Sequence, residues 1–176
     1  MRGGGLGWHH ARRMSEAPPP PQPQRRKFLV VVDSSPECHV ALRFAARRAQ
    51  HTGGIVTLLC MAAPADYQQW AGVERVMRDE AHQEAERLLH EAAKVVNDIV
   101  GAMPELVIRE GLTADEVRTL VAEDRAISIL VLGASTSKEG PGPLVSLVAK
   151  PAGGAYPIPV TIVPGSLSDE EIDALA

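Results

Sequence analysis

Five short strand-like runs, four of them mostly apolar, are separated by segments of helical periodicity and constrain the fold of this chain most strongly. They lie at 28–32, 55–63, 105–110, 127–133 and 159–164. A continuous apolar run is typical of a strand that is buried on both faces, as in a parallel sheet. Because strands that alternate with helices need right-handed crossovers, the sequence predicts an α/β fold. We expect an open, doubly wound sheet of five mainly parallel strands with helices on both faces.

Capping signals predict where the intervening helices begin. Ser35 has the character of an N-cap, and Pro36 that of a first helical residue. Two further positions have the spacing of a capping box, in which a hydroxyl and a carboxylate three residues later exchange hydrogen bonds with backbone amides. The boxes are Thr113 with Glu116 and Ser168 with Glu171, and the crossover helices are expected over 36–52, 73–100, 113–123 and 143–150.

Composition divides the chain into three parts. Residues 1–25 are rich in glycine, arginine and proline and end in APPPPQPQ, so we expect a disordered tail, because proline fixes φ and donates no hydrogen bond. Residues 26–165 carry the alternating elements and form the predicted domain. Residues 166–176 are an acidic C-terminal tail that is able to form a short helix.

Charge and hydropathy argue against several classes of partner. The net charge is -4 and the basic residues form no stripe, so no nucleic-acid partner is expected. No apolar run reaches the about 18 residues of a membrane span, so no membrane is expected either. The N-terminus lacks the apolar core of a secretory signal, which makes the cytoplasm the expected location.

Two cysteines, Cys38 and Cys60, lack the spacing of a zinc site or a disulfide framework. Both are expected to pack as small apolar side chains. The alternative for Cys38 is a reactive thiol, because a position in the first turn of a helix lowers the pKa of a thiol. The long helix carries three polar residues, His82, Glu86 and His90, whose spacing puts them on one flank. Two neighbouring members of this group would suit a metal ion. The favoured interpretation is that the three form part of a polar face in contact with water.

Ligands of open parallel sheets bind beyond the carboxyl ends of the strands, where the strand order reverses. A carboxylate there, such as that of Asp33, accepts hydrogen bonds from ribose hydroxyls or an exocyclic amine. In the alternative interpretation Asp33 has no ligand and only stabilises the turn after the strand. Glu110 and Gly111 follow the third strand. The candidate binding residues are Asp33, Ser34, Met61, Leu132, Gly133, Ser135, Thr136, Lys138, Ser146 and Leu147.

Four stretches, in this order, resemble the universal stress protein family: VVVDSSPE, REGLTADEV, VLGASTSKEGPGPLVSLVAK and PIPVTIVP. The resemblance covers residues 27–165. It implies a five-stranded α/β fold, a homodimer paired through the last strand, and an adenine nucleotide, ATP or AMP, at the strand ends. It also implies that Asp33 contacts adenine, and that Mg²⁺ is present only if ATP is bound.

The nucleotide motif of that family is altered here. It reads glycine, two residues, glycine, nine residues, glycine, and then serine or threonine. Of the three motif glycines only the first, Gly133, is present, and Pro141 and Pro143 have no amide hydrogen to donate. Side chains are therefore expected to make phosphate contacts in place of backbone amides. Counted from Gly133, the later motif positions hold Thr136, Ser146 and Leu147, and the side chains expected to reach phosphate are Thr136, Lys138 and Ser146.

The sequence therefore favours a stress-response regulatory module that binds an adenine nucleotide. Two alternatives stay open: a dimeric interaction protein that binds no nucleotide and engages an unknown protein partner, and a slow ATPase. No serine or cysteine with an evident base is visible, so catalysis is the weaker expectation. Hydrolysis would need a metal and a positioned water, for which Asp33 alone is thin support.

Overall fold

The computed structural model describes residues 25–62, 71–148 and 156–176, with backbone alone for 71–74. Strands and helices alternate throughout, which confirms the predicted α/β class. The elements are β1 Lys27–Val32, α1 Pro36–Thr52, β2 Ile55–Ala62, α2 Ala71–Val100, β3 Glu105–Glu110, α3 Thr113–Glu123, β4 Ile127–Ala134, α4 Pro143–Val148, β5 Val160–Pro164 and α5 Asp169–Leu175.

The five strands form one parallel sheet in the order β3-β2-β1-β4-β5. The chain first winds outward from β1 to β3 and then crosses back to β4. The order therefore reverses between β1 and β4, and Asp33 stands at the carboxyl end of that boundary. In an open parallel sheet this is the position at which ligands bind.

Alternate residues of the strands face two separate apolar cores, as a doubly wound sheet requires. Val30 and Leu58 face the core that α1, α2 and α5 cover, whereas Leu29 and Leu59 face the core beneath α3 and α4. All four side chains have no exposed surface. This burial on both faces explains why the runs of β1, β2 and β4 are almost entirely apolar.

Three predicted caps have different outcomes. At α1, Ser35 occupies the N-cap position, but its hydroxyl and its amide both donate to Asp33 Oδ1. The capping box predicted at Thr113 is wrong: Leu112 is the N-cap, and its carbonyl accepts the Glu116 amide at 3.0 Å. The capping box of α5 is confirmed, with Ser168 and Glu171 exchanging both hydrogen bonds.

Helix α5 packs against α1 rather than projecting from the domain. The Ile172 side chain is fully buried in the core that α1 covers. The Asp173 carboxylate accepts hydrogen bonds of 2.7–2.9 Å from Arg43 and Arg47 of α1. The acidic C-terminal segment thus covers part of the core.

Element boundaries lie within two residues of the predicted ones where the structure describes them. The long helix begins at Ala71 rather than at 73, β4 extends to Ala134, and β5 begins at Val160. The tail 1–24, the predicted last residue of β2 at 63 and the predicted end of α4 at 149–150 lie outside the described residues. No helix in the described ranges has the length and apolar character needed to cross a bilayer.

Candidate functional site

Asp33 stands where three cavities meet at the carboxyl ends of the strands. We call them the main cavity, of about 620 Å³, the small cavity, of about 60 Å³, and the α1–α2 groove, of about 340 Å³. The carboxylate is exposed, and one of its oxygens accepts the Ser35 amide at 2.9 Å. It therefore serves as a turn residue and also borders all three spaces.

The main cavity lies between the ends of β1 and β2 on one side and the first turns of α3 and α4 on the other. Its volume falls in the range of about 300–1,000 Å³ that is common for small-molecule sites. Most of its wall is apolar. The apolar side chains include Val31, Val32, Met61, Leu88, Leu144 and Leu147.

Polar groups stand at the edges of this apolar space. Asp33 and Ser34 come from the end of β1, and Thr113, Asp115 and Arg118 come from α3. Arg118 donates to Asp115 at 2.9 Å, and its guanidinium lies 5.6 Å from the centre of the Tyr156 ring. Apolar walls with few polar groups at the edges suit a flat heteroaromatic ligand that carries donors on its rim.

Gly133 lines the small cavity, not the main one. Its hydrogens face the backbone of α1: a Cβ built on Gly133 would lie 2.0 Å from the carbonyl oxygen of Glu37. Real Cβ atoms do not approach backbone so closely, so the packing of β4 against α1 requires glycine here. Gly133 was predicted to be a binding residue; in the structure its close neighbour is the backbone of α1.

The loop between β4 and α4 folds back on itself through its own amides. The Ser135 amide donates to the Pro141 carbonyl at 3.1 Å, and the Ser137 amide donates to the Ser135 hydroxyl at 3.2 Å. The Gly140 amide donates to the Ser137 carbonyl at 3.3 Å, with a φ of 113° that favours glycine. Three amides that a phosphate-binding loop would present outward are thus already used.

The structure brings some of the predicted binding residues together and separates the others. Asp33, Ser34, Met61 and Leu147 line the main cavity. Asp33, Leu132 and Gly133 line the small one. The remaining predicted residues, Ser135, Thr136, Lys138 and Ser146, line none of the three cavities, and the first three precede the turn into α4.

The contribution of α3 to the main cavity was not predicted from the sequence. Leu112, Thr113, Asp115 and Arg118 border the main cavity, whereas the residues singled out after β3 were Glu110 and Gly111. The signal was available in part, because β3 ends at the same edge as β1. What the sequence does not show is that the crossover from β3 to β4 carries the start of α3 across the ends of β1 and β2.

Both cysteines border these cavities but are buried. Burial raises the pKa of the Cys38 thiol to about 11, and burial likewise raises the pKa of the Cys60 thiol to about 11. A thiol with so high a pKa stays protonated at neutral pH and is a poor nucleophile. The structure therefore favours the packing role of Cys38 over the alternative of a reactive thiol.

His82 of the long helix pairs with Glu110 of β3 rather than with a residue of its own helix. His82 Nε2 lies 2.8 Å from Glu110 Oε1, and this hydrogen bond lowers the pKa of the Glu110 carboxyl. Across the described residues, no group of three or more histidine, cysteine, aspartate or glutamate side chains is placed to hold a metal ion. His82 is half-buried, and Glu86 and His90 are exposed.

Comparison with known proteins decides the family. The family model described as the universal stress protein family matches residues 24–164. The chain belongs to this family. A universal stress protein from Mycolicibacterium smegmatis is 33% identical over 107 residues, which cover 60% of this chain and 36% of that protein. The chain thus spans about a third of the length of this curated relative.

Solved structures of universal stress proteins share the fold. The Archaeoglobus fulgidus protein in complex with dAMP has 21% identity and a TM-score of 0.56, covering 80% of this chain and 98% of its own. An Arabidopsis thaliana protein with AMP bound has 17% identity and a TM-score of 0.55, covering 82% and 94%. At these identities the likeness establishes the common fold alone.

Proposed function

We propose that this universal stress protein is a regulatory module that binds an adenine nucleotide, with the adenosine part in the main cavity. One observation carries the proposal: the Asp33 carboxylate borders an apolar space of about 620 Å³ at the point where the strand order reverses. A carboxylate there suits ribose hydroxyls or an exocyclic amine. The AMP and dAMP complexes of the two structural relatives support the same class of ligand.

Isothermal titration with AMP tests the proposal. We expect saturable binding by the wild type and at least a tenfold loss in Asp33→Ala, because about 1.4 kcal/mol of interaction corresponds to a factor of ten. Asp33 also holds the turn before α1, so a second variant, Met61→Trp, fills the cavity without touching that turn. Lys94→Ala, on the exposed face of α2 and outside the three cavities, is the control and should bind as the wild type does.

The ligand that accompanies the protein through purification gives an independent test. Heat release followed by mass determination should yield an adenine compound. No binding of AMP together with the absence of any adenine compound would refute the proposed function. The fold would then be better explained as an interaction module.

We further propose a homodimer that pairs through β5. This strand contacts β4 on one side and forms an edge of the sheet on the other. Ile162 on β5 keeps 42% of its surface exposed, and an exposed apolar edge strand invites pairing with another chain. Light scattering should report a dimer for the wild type and a monomer for Ile162→Lys; a wild-type monomer at every concentration contradicts the proposal.

A further inference from the structure

We infer that α1 carries a docking surface for an acidic helix of a partner protein, and that α5 is a built-in competitor that covers this surface until such a helix displaces it. The surface, which we call the α1 strip, consists of His39, Arg43, Arg47 and His51. The inference does not depend on the proposed function, because none of these four residues lines the main cavity. Four observations support it.

The first is the spacing of the α1 strip. Its two arginines and two histidines recur at every fourth position of α1. Residues four apart lie one above another on the same face of a helix, so the strip is about 18 Å long at about 1.5 Å per residue. A different face of α1, which includes Ala45 and Ala49, is buried in the core. The strip is therefore a continuous basic line along a helix that the sheet holds in place.

The second is that an acidic helix, α5, already lies on the strip. The Asp169 carboxylate is 3.2 Å from His39 Nε2 and 3.0 Å from Arg43 Nη1. One turn later, the Asp173 carboxylate is 2.7 Å from Arg43 Nη2 and 2.8 Å from Arg47 Nη2. Two carboxylates four residues apart on a helix thus match the spacing of the strip, which defines the kind of partner that the strip accepts.

The third is that α5 matches the strip incompletely. It supplies two carboxylates, those of Asp169 and Asp173, to four basic side chains. At the end of the strip, His51 Nδ1 lies 3.0 Å from a backbone oxygen of Ala176 instead of a carboxylate. The seven residues of α5 span about 10 Å, which is less than the strip. A longer helix with an acidic residue at every fourth position would give each basic side chain its own carboxylate and would bind the strip more tightly than α5 does.

The fourth is that α5 is able to leave the strip without disturbing the sheet. The family model ends at residue 164, so α5 lies outside the shared domain. Within α5, Ile172 is the one buried residue. Asp169 and Asp173 keep 46% and 30% of their side-chain surface exposed, and ion pairs in contact with water contribute little to stability. Segments with so few buried contacts open at a low free-energy cost.

Fluorescence anisotropy of the full chain with a labelled acidic peptide tests the inference. The peptide is a helix with four aspartates at four-residue spacing and an isoleucine at the position that corresponds to Ile172. Two variants weaken the docking of α5: Ile172→Ser removes its apolar anchor, and Asp169→Asn/Asp173→Asn removes its ion pairs. Because a tethered helix competes at an effective concentration of about a millimolar, we expect each variant to bind the peptide at least about tenfold more tightly than the wild type.

The controls address the strip and the peptide separately. In the Ile172→Ser chain, Arg47→Gln should weaken peptide binding at least about fivefold, because it removes a charge-assisted hydrogen bond. Arg48→Gln removes the same charge one position away, off the strip, and should leave binding unchanged. A peptide with asparagine in place of its four aspartates should bind at least about tenfold more weakly.

Melting curves check that each variant is folded at the temperature of the titration; if Ile172→Ser is not, Asp169→Asn/Asp173→Asn decides and carries the arginine substitutions. Folded variants that bind the peptide no better than the wild type overturn the inference, as does equal binding of the aspartate and asparagine peptides. A wild-type dimer that becomes a monomer in Asp169→Asn/Asp173→Asn would show that α5 of a second copy occupies the strip, which also overturns the inference. None of these outcomes bears on the proposed function, which the AMP titration tests separately.

Discussion

Gly133 and Glu37 are in backbone contact across the junction of β4 and α1, with only 2.0 Å between the Glu37 carbonyl oxygen and the place where a Cβ of residue 133 would be. The two nearest atoms belong to the main chain of Glu37 and not to the end of a flexible side chain. The one glycine of the family's nucleotide motif that this chain keeps therefore has a packing reason to persist. Its presence is not evidence that the rest of the motif functions.

Gly133→Ala should destabilise the protein by about 3 kcal/mol or more, because neither backbone segment can move without disturbing the sheet. Gly53→Ala is the control. Gly53 has a φ of 68°, and no atom lies within 4 Å of a Cβ built on it. Gly53→Ala should therefore lower the free energy of unfolding by about 1 kcal/mol, solely because alanine disfavours this backbone conformation. Urea denaturation measures both. Equal losses would show that the contact with Glu37 relaxes easily.

Ile172→Ala should lower the free energy of unfolding by about 2–5 kcal/mol, since a fully buried isoleucine loses its transfer free energy and leaves a cavity. Leu175 lies in the same helix with 64% of its surface exposed, so Leu175→Ala should change stability by less than about 0.5 kcal/mol. Denaturant midpoints compare the two variants. Similar small effects would mean that α5 contributes little to the domain.

Asp173→Asn should cost stability at neutral pH and lose its effect in acid. Hydrogen bonds from Arg43 and then from Arg47 hold the pKa of the Asp173 carboxyl well below its ordinary value. A carboxyl with a lowered folded-state pKa stabilises the protein above its unfolded pKa of about 3.9, and this contribution is lost as the pH falls through the lower folded value. The difference in Tm between wild type and variant should therefore be constant from pH 7 to about pH 5 and shrink below about pH 4.

The control for that pH series is Asp98→Asn. Asp98 is 62% exposed and lies 3.9 Å from Lys94, a geometry in which a surface pair contributes little. Its Tm should stay close to that of the wild type across the series. A Tm difference for Asp173→Asn that does not change between pH 7 and pH 2 would contradict the assigned role of the two arginines.

Cys38 and Cys60 should resist a thiol reagent in the native protein. With a pKa of about 11 for each thiol, about one thiol in a thousand is ionised at pH 8. Reaction with a chromogenic disulfide should be slow in buffer and complete within minutes in denaturant, with two thiols released. Fast labelling of either cysteine in buffer would show that its side chain opens to solvent.

The order of the elements was predictable from the sequence because both faces of the sheet are buried. Positions such as Leu29 and Val30 face opposite cores, so β1, β2 and β4 carry no polar alternation that would mimic a surface strand. The position of Asp33 was predictable for the same reason: it is the first polar residue after a buried strand. These features depend on local composition, which a single sequence displays directly.

The parts that were not predictable are one local detail of helix capping and two contacts between segments far apart in the chain. The Thr113 capping box has the right residue types, yet the Leu112 carbonyl already receives the amide that the hydroxyl would need. The contribution of Arg118 to the main cavity follows from the path of a crossover. The partner of Gly133 is a helix that the chain forms long before it reaches β4.

The position of β1 between β2 and β4 has a consequence for biosynthesis. Lys27 pairs with Ile55 on one side and with Ile127 on the other, so one edge of the central strand stays unpaired until most of the chain has left the ribosome. Pairings that distant in sequence slow folding, and an apolar edge that waits for its partner is prone to aggregate. Nascent chains of this protein should thus depend on protection from chaperones until β4 emerges.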